Sequence, residues 1–128
     1  VHIGQDDMSV EEARKLLGED KIIGVSAHNV KEALKAQKGG ADYLGVGAVC
    51  ATSTKKDANV VSKEEIKKIK EAVDIPIVAI GGIKKDNIDA LTGTGIDGVA
   101  VVSAIFGAKD ITKDTKELLK TVKKMKQE

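Results

Sequence analysis

The feature that most constrains the fold is a regular alternation of short, uninterrupted apolar runs with longer amphipathic stretches. The segments 77–80 and 99–102 are apolar at every position. Such runs are typical of strands buried on both faces, as the strands of parallel sheets are. The stretches between the runs carry apolar residues at helical spacing, so the chain predicts repeated βα units around a parallel sheet.

The pattern predicts five strands and five helices. The strands are expected over residues 1–4 (the end of a first strand), 21–26, 43–46, 76–80 and 98–102. Three helices begin at side chains that cap the first turn, which are Ser9 with Glu12, Asn29, and Ser62 with Glu65. The other two helices are expected over 86–91 and from about Thr112 onward. Right-handed crossovers then leave two architectures, an open doubly wound sheet or part of a (β/α)8 barrel.

The helical spacing also predicts which side chains face the sheet. The expected inward positions are Val10, Ala13, Leu16 and Leu17 in the first helix, Val30, Ala33 and Leu34 in the second, Ile66, Ile69 and Val73 in the third, and Leu118, Val122 and Met125 in the last. The lysines of the last helix are interpreted as a solvated face. No boundary or low-complexity run divides the chain, so we expect one domain over residues 1–128.

Composition excludes several classes of function. The net charge is +1, and the aromatic residues are Tyr43 and Phe106, which leaves no stacking platform for nucleic acid. Cys50 is the single cysteine, so a disulfide framework or a cysteine metal site is not expected. No window is long and apolar enough for a transmembrane helix. These observations predict a cytoplasmic protein with neither nucleic-acid nor membrane partners.

The chemistry is expected at the carboxyl ends of the strands, where parallel α/β folds bind their ligands. The loop after the third strand combines three hydroxyl groups, on Thr52, Ser53 and Thr54, with the positive charge of Lys55. Glycines at 45 and 47 would let another group approach the backbone closely where the strand ends. The set suits a phosphate ester or pyrophosphate, and the alternative is an ordinary surface loop.

Two further strand ends carry candidate site residues. Gly82 and the pair Val102 and Ser103 follow the last two strands, where a barrel would hold a phosphate near the start of a short helix. Asp7 follows the first strand and could bind Mg²⁺, or it could instead belong to the start of the first helix. His28 has no partner at a telling spacing and is left without a role.

Six segments, taken in order, resemble the thiamine phosphate synthase family. They are His2-Ile-Gly-Gln-Asp-Asp7, Ile23-Gly-Val-Ser-Ala-His28, Asp42-Tyr-Leu-Gly-Val-Gly47, Thr52-Ser-Thr-Lys55, Val78-Ala-Ile-Gly-Gly-Ile83 and Gly98-Val-Ala-Val-Val-Ser-Ala-Ile105. The resemblance implies a (β/α)8 barrel. It also implies a transferase that joins hydroxymethylpyrimidine pyrophosphate to thiazole phosphate and releases pyrophosphate with the help of Mg²⁺. A thiazole tautomerase shares the barrel, but the Thr52–Lys55 segment favours the synthase.

The resemblance also assigns roles to individual residues. It makes Asp7 a Mg²⁺ ligand and places Ser26 and Lys55 on the pyrimidine pyrophosphate, where they serve catalysis. It places the thiazole phosphate on Thr52, Ser53, Thr54, Gly82, Val102 and Ser103. The partners implied are therefore small phosphate and pyrophosphate substrates.

The resemblance covers the family's last five βα units, from the fourth strand onward. The matched segments do not include the family's Gln-x-Arg-x-Lys stretch or its Asn-Asp pair, and Cys50-Ala51 replaces an aromatic-proline step. Two hypotheses follow, a synthase portion and a catalytically incomplete barrel fragment with a structural role that retains a phosphate site. Because five units cannot close a barrel, we expect a homodimer or higher oligomer.

Overall fold

The computed structural model describes residues 1–50 and 60–126, and within them one sheet of five parallel strands is present. The strands are β1 (His2–Ile3), β2 (Gly24–Ala27), β3 (Tyr43–Val46), β4 (Ile77–Ile80) and β5 (Gly98–Ala100). They lie side by side in chain order, each parallel to the next. A doubly wound sheet reverses its strand order at a switch point, whereas this sheet does not. The order is that of a (β/α)8 barrel, which confirms the barrel prediction for the five units described.

Helices connect and follow the strands. They are α1 (Val10–Leu17), α2 (Val30–Gly39), α3 (Lys63–Ala72), a 3₁₀ helix (Ile88–Leu91), α4 (Ser103–Phe106) and α5 (Ile111–Lys126). The predicted helix over 86–91 is thus a single short 3₁₀ segment. The fifth strand ends at Ala100, two residues before its predicted end.

The three predicted caps are present. Ser9 Oγ, Asn29 Oδ1 and Ser62 Oγ each accept a hydrogen bond from the backbone amide three residues later, at 3.2, 2.9 and 3.1 Å. Each bond satisfies an amide that has no partner inside its own helix. At the other end of α2, Gly40 adopts φ 103°, a left-handed conformation that suits glycine.

The two faces of the sheet have different surroundings. Side chains that point toward the helices are buried and apolar, namely Ile3, Val25, Ala27, Leu44, Val46, Ile77 and Ala79. The register aligns the alternate positions on the opposite, inner face, which carries His2, Gly24, Ser26, Tyr43, Gly45, Val78, Ile80, Gly98 and Ala100. Ile80 is 40% exposed on that face. The prediction of burial on both faces is therefore wrong here, because no described element covers the inner face.

The predicted inward stripes are partly correct. In α3 and α5, Ile66, Ile69, Val73, Leu118 and Met125 are buried as expected. In α1 and α2, Val10, Ala13 and Ala33 are buried, whereas Leu16, Leu17 and Leu34 are exposed. Helical spacing identifies apolar positions, but burial also requires a neighbouring element on that side.

Two aspartates join neighbouring strands at the amino-terminal edge of the sheet. Asp42 Oδ2 accepts a hydrogen bond from the Ile23 amide at 2.8 Å and pairs with Arg14 at 2.8 Å. Asp97 Oδ2 accepts from the Ile77 amide at 2.9 Å, and Lys70 donates to the same oxygen at 3.1 Å. Each aspartate thus ties the strand it precedes to the neighbouring strand and to an earlier helix.

Candidate functional site

The predicted site residues fall at the carboxyl edge of the sheet. Ser26 lies on β2, and the residues from Gly82 and from Val102 onward follow β4 and β5. Thr52, Ser53, Thr54 and Lys55 lie outside the described residues, so their predicted roles stay predictions.

A cavity of about 150 Å³ opens where β4 and β5 end. It is lined by Ile80, Gly81, Gly82, Ile83, Ala100, Val101, Val102 and Ser103. Gly81 and Gly82 have φ of 97° and 72°, values that other residues rarely adopt. The structure therefore brings together three of the predicted phosphate-binding residues, Gly82, Val102 and Ser103. Their backbone groups and one hydroxyl give the cavity hydrogen-bonding capacity without a fixed charge.

The chain that leaves β3 is fastened beside this cavity. The amides of Val49 and Cys50 donate to the carbonyls of Ile80 and Gly81, each at 3.0 Å. The segment after β3 approaches the segment after β4 so closely that a Cβ on Gly81 would lie 2.6 Å from the Cα of Ala48. Cys50, the last described residue before the hydroxyl-rich loop, is thus held at the cavity.

A polar cluster on the inner face surrounds Ser26. His2 Nε2 lies 2.8 Å from Ser26 Oγ, and His2 Nδ1 lies 3.1 Å from the Tyr43 hydroxyl. Gln5 Nε2 donates to the Ser26 carbonyl at 2.6 Å. The cluster fixes both the hydroxyl and the backbone of Ser26. Since neighbouring strands are about 4.8 Å apart, Ser26 on β2 lies roughly 10–14 Å from the cavity between β4 and β5.

Glycines on the inner face make room for these rings. A Cβ on Gly45 would lie 2.7 Å from Cε1 of His2, and one on Gly24 would lie 2.0 Å from Cζ of Tyr43. At Gly47 a Cβ would lie 2.2 Å from the Ile80 carbonyl oxygen. The predicted close approach to the backbone at Gly45 and Gly47 is therefore confirmed, and the approaching groups are protein atoms, the His2 ring and the Ile80 carbonyl.

His2 and Tyr43 are the part of this cluster to which sequence reasoning assigned no role. Their side chains come from aligned positions of β1 and β3, the strands on either side of β2, and they are 41 residues apart in the chain. The available signal was the strand register, since His2 aligns with Gly24 and Gly24 with Tyr43. Because Gly24 of β2 has no side chain, the rings of His2 and Tyr43 meet across that strand.

Asp7 closes the turn after β1. Its Oδ2 accepts a hydrogen bond from the Gly4 amide at 2.6 Å. Asp7 is exposed, and it lines a crevice of about 160 Å³ together with Gln5, Glu11, Glu32 and Lys35. Over residues 1–50 and 60–126, no group of three or more His, Cys, Asp or Glu side chains is arranged to hold a metal ion.

Two other side chains noted in the sequence, His28 and Cys50, have surroundings that do not indicate a catalytic role. His28 Nδ1 lies 2.8 Å from Glu32 Oε1, which also accepts the His28 amide at 2.8 Å, so this histidine belongs to the start of α2. Burial raises the pKa of the Cys50 thiol. A raised pKa keeps the thiol protonated at neutral pH, so Cys50 is not an activated nucleophile.

Comparison with known proteins points to one family. A family described as thiamine monophosphate synthase matches residues 1–105. The thiamine-phosphate synthase of Clostridium tetani is 56% identical over 118 residues, which are 92% of this chain and 56% of that protein. The thiamine-phosphate synthase of Methanobrevibacter smithii is 56% identical over 123 residues, 96% of this chain and 59% of that protein.

A solved structure agrees with these sequence relatives. The thiamine phosphate pyrophosphorylase from Pyrococcus furiosus superposes with a TM-score of 0.88 at 48% identity. The match covers 98% of this chain and 59% of that one. The chain thus spans less than three fifths of the length of these relatives. Within the described residues, no helix has the length and apolar character needed to cross a membrane.

Proposed function

The chain belongs to the thiamine monophosphate synthase family, and from that premise we propose that it is a transferase that makes thiamine phosphate. It would join hydroxymethylpyrimidine pyrophosphate to thiazole phosphate and release pyrophosphate. The observation that carries this proposal is the cavity after β4 and β5, with Gly82, Val102 and Ser103 in its wall. A small, glycine-lined cavity rich in backbone groups suits the phosphate of the thiazole substrate.

Ser26 is proposed to hold the pyrimidine pyrophosphate through its hydroxyl. If Tyr43 donates its phenolic proton to His2 Nδ1, the Nε2 proton of His2 is donated to Ser26 Oγ. The hydroxyl proton of Ser26 then remains available for an oxygen of the pyrophosphate. The 2.8 Å contact between His2 and Ser26 supports this arrangement. His2 is in this scheme a positioning residue.

Lys55 is proposed to stabilise the charge that develops on the departing pyrophosphate. The C–O bond between the pyrimidine methylene and pyrophosphate breaks, and the bonding electrons leave with pyrophosphate. The resulting pyrimidinylmethyl cation is captured by the lone pair of the thiazole nitrogen, which forms the new C–N bond. Thr52, Ser53 and Thr54 would add hydroxyl donors to the thiazole phosphate. The scheme needs no general base, and none is assigned.

Mg²⁺ is proposed as the cofactor, with Asp7 as the protein ligand. Mg²⁺ is commonly bound by one or two carboxylates together with substrate phosphates, and the exposed Asp7 carboxylate fits that use. When bound, the ion would neutralise charge on the pyrophosphate. The hydrogen bond from the Gly4 amide to Asp7 Oδ2 fixes the carboxylate in the turn after β1.

The experiment is a pyrophosphate-release assay on a chimera in which the unmatched part of the Pyrococcus furiosus relative is fused to this chain. The assay compares the chimera with its Lys55→Ala variant. We expect kcat to fall by about a hundredfold, the range seen when one charge-stabilising donor is removed, with an unchanged melting temperature. The conservative variant Lys55→Arg keeps the charge and should retain part of the rate. An unchanged kcat in Lys55→Ala would show that the assignment is wrong.

A second candidate is favoured by the open inner face of the sheet. The chain could be a catalytically incomplete barrel portion with a structural role that retains the phosphate site. Calorimetry with thiazole phosphate separates the two candidates. Binding to the chimera without pyrophosphate release supports the second, whereas turnover supports the first.

The remaining proposals concern the state of the protein. We propose that residues 1–128 form one domain, that it acts in the cytoplasm on small phosphate substrates, and that the isolated chain associates with copies of itself. The supporting observation for association is the exposure of apolar residues at both ends of the sheet, including Val1, Ile22 and Phe106.

A further inference from the structure

The wall of the cavity after β4 and β5 has two chemically different sides. Gly82 and Ser103 offer backbone groups and a hydroxyl, which suit a phosphate. Ile80 and Ala100 line the same cavity and offer hydrocarbon side chains. A cavity of this kind fits a ligand with an anionic end and an apolar end. Within the proposed function, the phosphate of the thiazole substrate would occupy the first side, which leaves the second side for its ring.

Ile80 and Ala100 belong to one layer of the inner face of the sheet. The register of β4 and β5 makes them direct partners, and it pairs Val78 with Gly98 two residues earlier. Side chains at positions two residues apart in a strand point to the same face. Ile80 and Ala100 therefore lie at the carboxyl end of the sheet beside the cavity, and Val78 lies one layer deeper on the same face of β4.

The side chain of Ile80 extends from β4 toward the segment that follows β3. A Cβ on Gly47 would lie 2.8 Å from Cγ2 of Ile80, so the isoleucine occupies the space that the glycine leaves. On the side of β5, its partner Ala100 carries a single methyl group. The side chain of Ile80 thus separates the cavity from the inner face of β3. A β-branched side chain has few rotamers, so this apolar surface keeps its shape.

The position of Ile80 relates the cavity to Ser26. Ser26 lies on β2, the cavity lies where β4 and β5 end, and β3 lies between them. In the proposed reaction, the thiazole ring must extend from its phosphate in the cavity toward the pyrimidine held near Ser26. A ring that extends in this direction passes over the side chain of Ile80.

We propose that Ile80 contacts the face of the thiazole ring and is the residue that gives the site its specificity for this ring. The assignment rests on the proposed function. The lone pair of the thiazole nitrogen lies in the plane of the ring, so packing of the ring face on Ile80 leaves the nitrogen free to attack the pyrimidine methylene. Removal of a few carbon atoms from an apolar contact of this kind changes discrimination by about tenfold or more.

The test compares two ligands on this 128-residue chain by isothermal titration calorimetry. Thiazole phosphate has both ends, whereas inorganic phosphate has the anionic end alone. We expect the unaltered chain to bind thiazole phosphate about tenfold more tightly than inorganic phosphate. Ile80→Ala should raise the Kd of thiazole phosphate by about tenfold and leave the Kd of inorganic phosphate unchanged. Ile80→Val removes one carbon and should have a smaller effect in the same direction.

Val78→Ala is the matched control, because it shortens a branched side chain on the same strand and the same face, one layer below the cavity. Its Kd values for both ligands should equal those of the unaltered chain. The Ile80 variants should keep their circular dichroism spectra, since the side chain of Ile80 is 40% exposed and contributes little to the core.

Three results would overturn the proposal. Equal affinities of the unaltered chain for the two ligands, or no binding of thiazole phosphate, would show that the ring makes no contact. A parallel loss of affinity for both ligands in Ile80→Ala would show that the isoleucine shapes the cavity without contacting the ring. An equal loss for thiazole phosphate in Val78→Ala would show that the effect is not specific to Ile80.

The binding readout also separates this inference from the proposed function. Ring-dependent binding that is lost in Ile80→Ala, without pyrophosphate release by the chimera, would contradict the proposed function and leave the role of Ile80 standing. Pyrophosphate release by the chimera, with unchanged affinities in Ile80→Ala, would contradict the role of Ile80 alone.

Discussion

At the scale of single residues, the geometry around Ser26 depends on glycines that have no side chain and so leave space for the rings of His2 and Tyr43. His2 lies over Gly45, and its Nε2 is 2.8 Å from Ser26 Oγ. A glycine in a strand normally weakens it, so its presence calls for a reason. The reason here is that only glycine admits the imidazole that positions the serine hydroxyl.

We therefore expect Gly45→Ala to lower the kcat of the chimera, although the added methyl group does not contact the substrate. The new Cβ would lie 2.7 Å from His2 Cε1, so the ring must move and the contact with Ser26 is lost. Loss of one hydrogen bond of about 1–1.5 kcal/mol predicts a roughly tenfold lower kcat in the chimera. Gly98→Ala is the matched control, because a Cβ at Gly98 of the same face meets nothing within 4 Å. The NMR resonances of the His2 ring should shift in Gly45→Ala and not in Gly98→Ala. Equal kcat values in the two variants would contradict the positioning role of His2.

A second prediction at this scale concerns Asp7 and Mg²⁺. One exposed carboxylate that already accepts a backbone hydrogen bond offers few ligands to an ion that prefers six oxygens. Isothermal titration calorimetry of the isolated chain with MgCl₂ alone should detect no binding tighter than the millimolar range. Tight binding, abolished by Asp7→Asn, would show that a more complete site exists than the described residues provide.

At the scale of elements, the same arrangement occurs twice at the amino-terminal edge of the sheet. Arg14 and Asp42 join α1, β2 and β3, and Lys70 and Asp97 join α3, β4 and β5. A left-handed glycine stands two residues before each aspartate, at Gly40 and Gly95. The two arrangements differ in their basic residue, which is arginine in the first and lysine in the second. Arg14 donates to the carbonyls of Gly18, Lys21 and Gly40 as well as to Asp42.

This difference predicts how stability changes when lysine and arginine are exchanged at positions 14 and 70. Lys70→Arg should stabilise the fold by about 0.5 kcal/mol, or roughly 2–3 °C in Tm, because a planar fork can reach Asp97 and nearby carbonyls together. Arg14→Lys should destabilise it by about 1 kcal/mol, since three carbonyls lose a donor. Thermal unfolding followed by circular dichroism measures both. A higher Tm in Arg14→Lys or a lower Tm in Lys70→Arg would contradict this comparison of the two basic residues.

The aspartates also predict how stability responds to acid. The Arg14 hydrogen bond, together with the Ile23 amide, lowers the pKa of Asp42 below 3.8. Burial alone would raise the pKa of Asp97, but the Ile77 amide and Lys70 outweigh it and lower that pKa too. A carboxylate with a lowered pKa stabilises the fold above its unfolded value, and this contribution is lost as pH falls through the folded pKa.

We expect Asp42→Asn to cost about 1 kcal/mol at pH 7, a modest figure because the carboxylate is half exposed. The difference from the unaltered chain should shrink as pH falls below about 3.8, where the aspartate of the unfolded chain takes up its proton, and should be lost below the lowered folded pKa, where both states are protonated. Urea unfolding at several pH values tests this. Asp89→Asn is the control, because Asp89 lies on the exposed side of the 3₁₀ helix. A difference that stays constant down to pH 3 would show that charge is not the cause.

Sequence reasoning predicted the elements better than their surroundings. Tyr43–Val46 was predicted with its observed bounds, and the caps at Ser9 and Asn29 were found as expected. These features depend on neighbours a few residues away in the chain. The ring of His2 over Gly45 and the exposure of Leu16 depend on which strand or helix lies alongside. Periodicity does not contain that information, so the sequence predicts a close approach at Gly45 without identifying the His2 ring, and the inward position predicted for Leu16 is wrong.

At the scale of the whole molecule, the sheet has a buried helical face, an inner face that no described element covers, and exposed apolar residues such as Val1 and Phe106 near its two outer strands. An uncovered apolar border is a template for association, and a second copy is always available to the isolated chain. The self-association that we propose for the isolated chain follows from this arrangement.

We therefore expect light scattering of the purified chain to give an average mass above 13.5 kDa that rises across the micromolar range. The double variant Leu16→Lys with Leu119→Lys should shift the mass toward the monomer, because a charge then replaces an exposed leucine on each of the helices α1 and α5. The double variant should keep its circular dichroism spectrum, since both leucines are exposed and neither contributes to the core. The variant Leu34→Lys, on the central helix, should associate like the unaltered chain. A stable monomer at all concentrations would mean that the two edges are covered within the chain itself, and the association proposal would then be wrong.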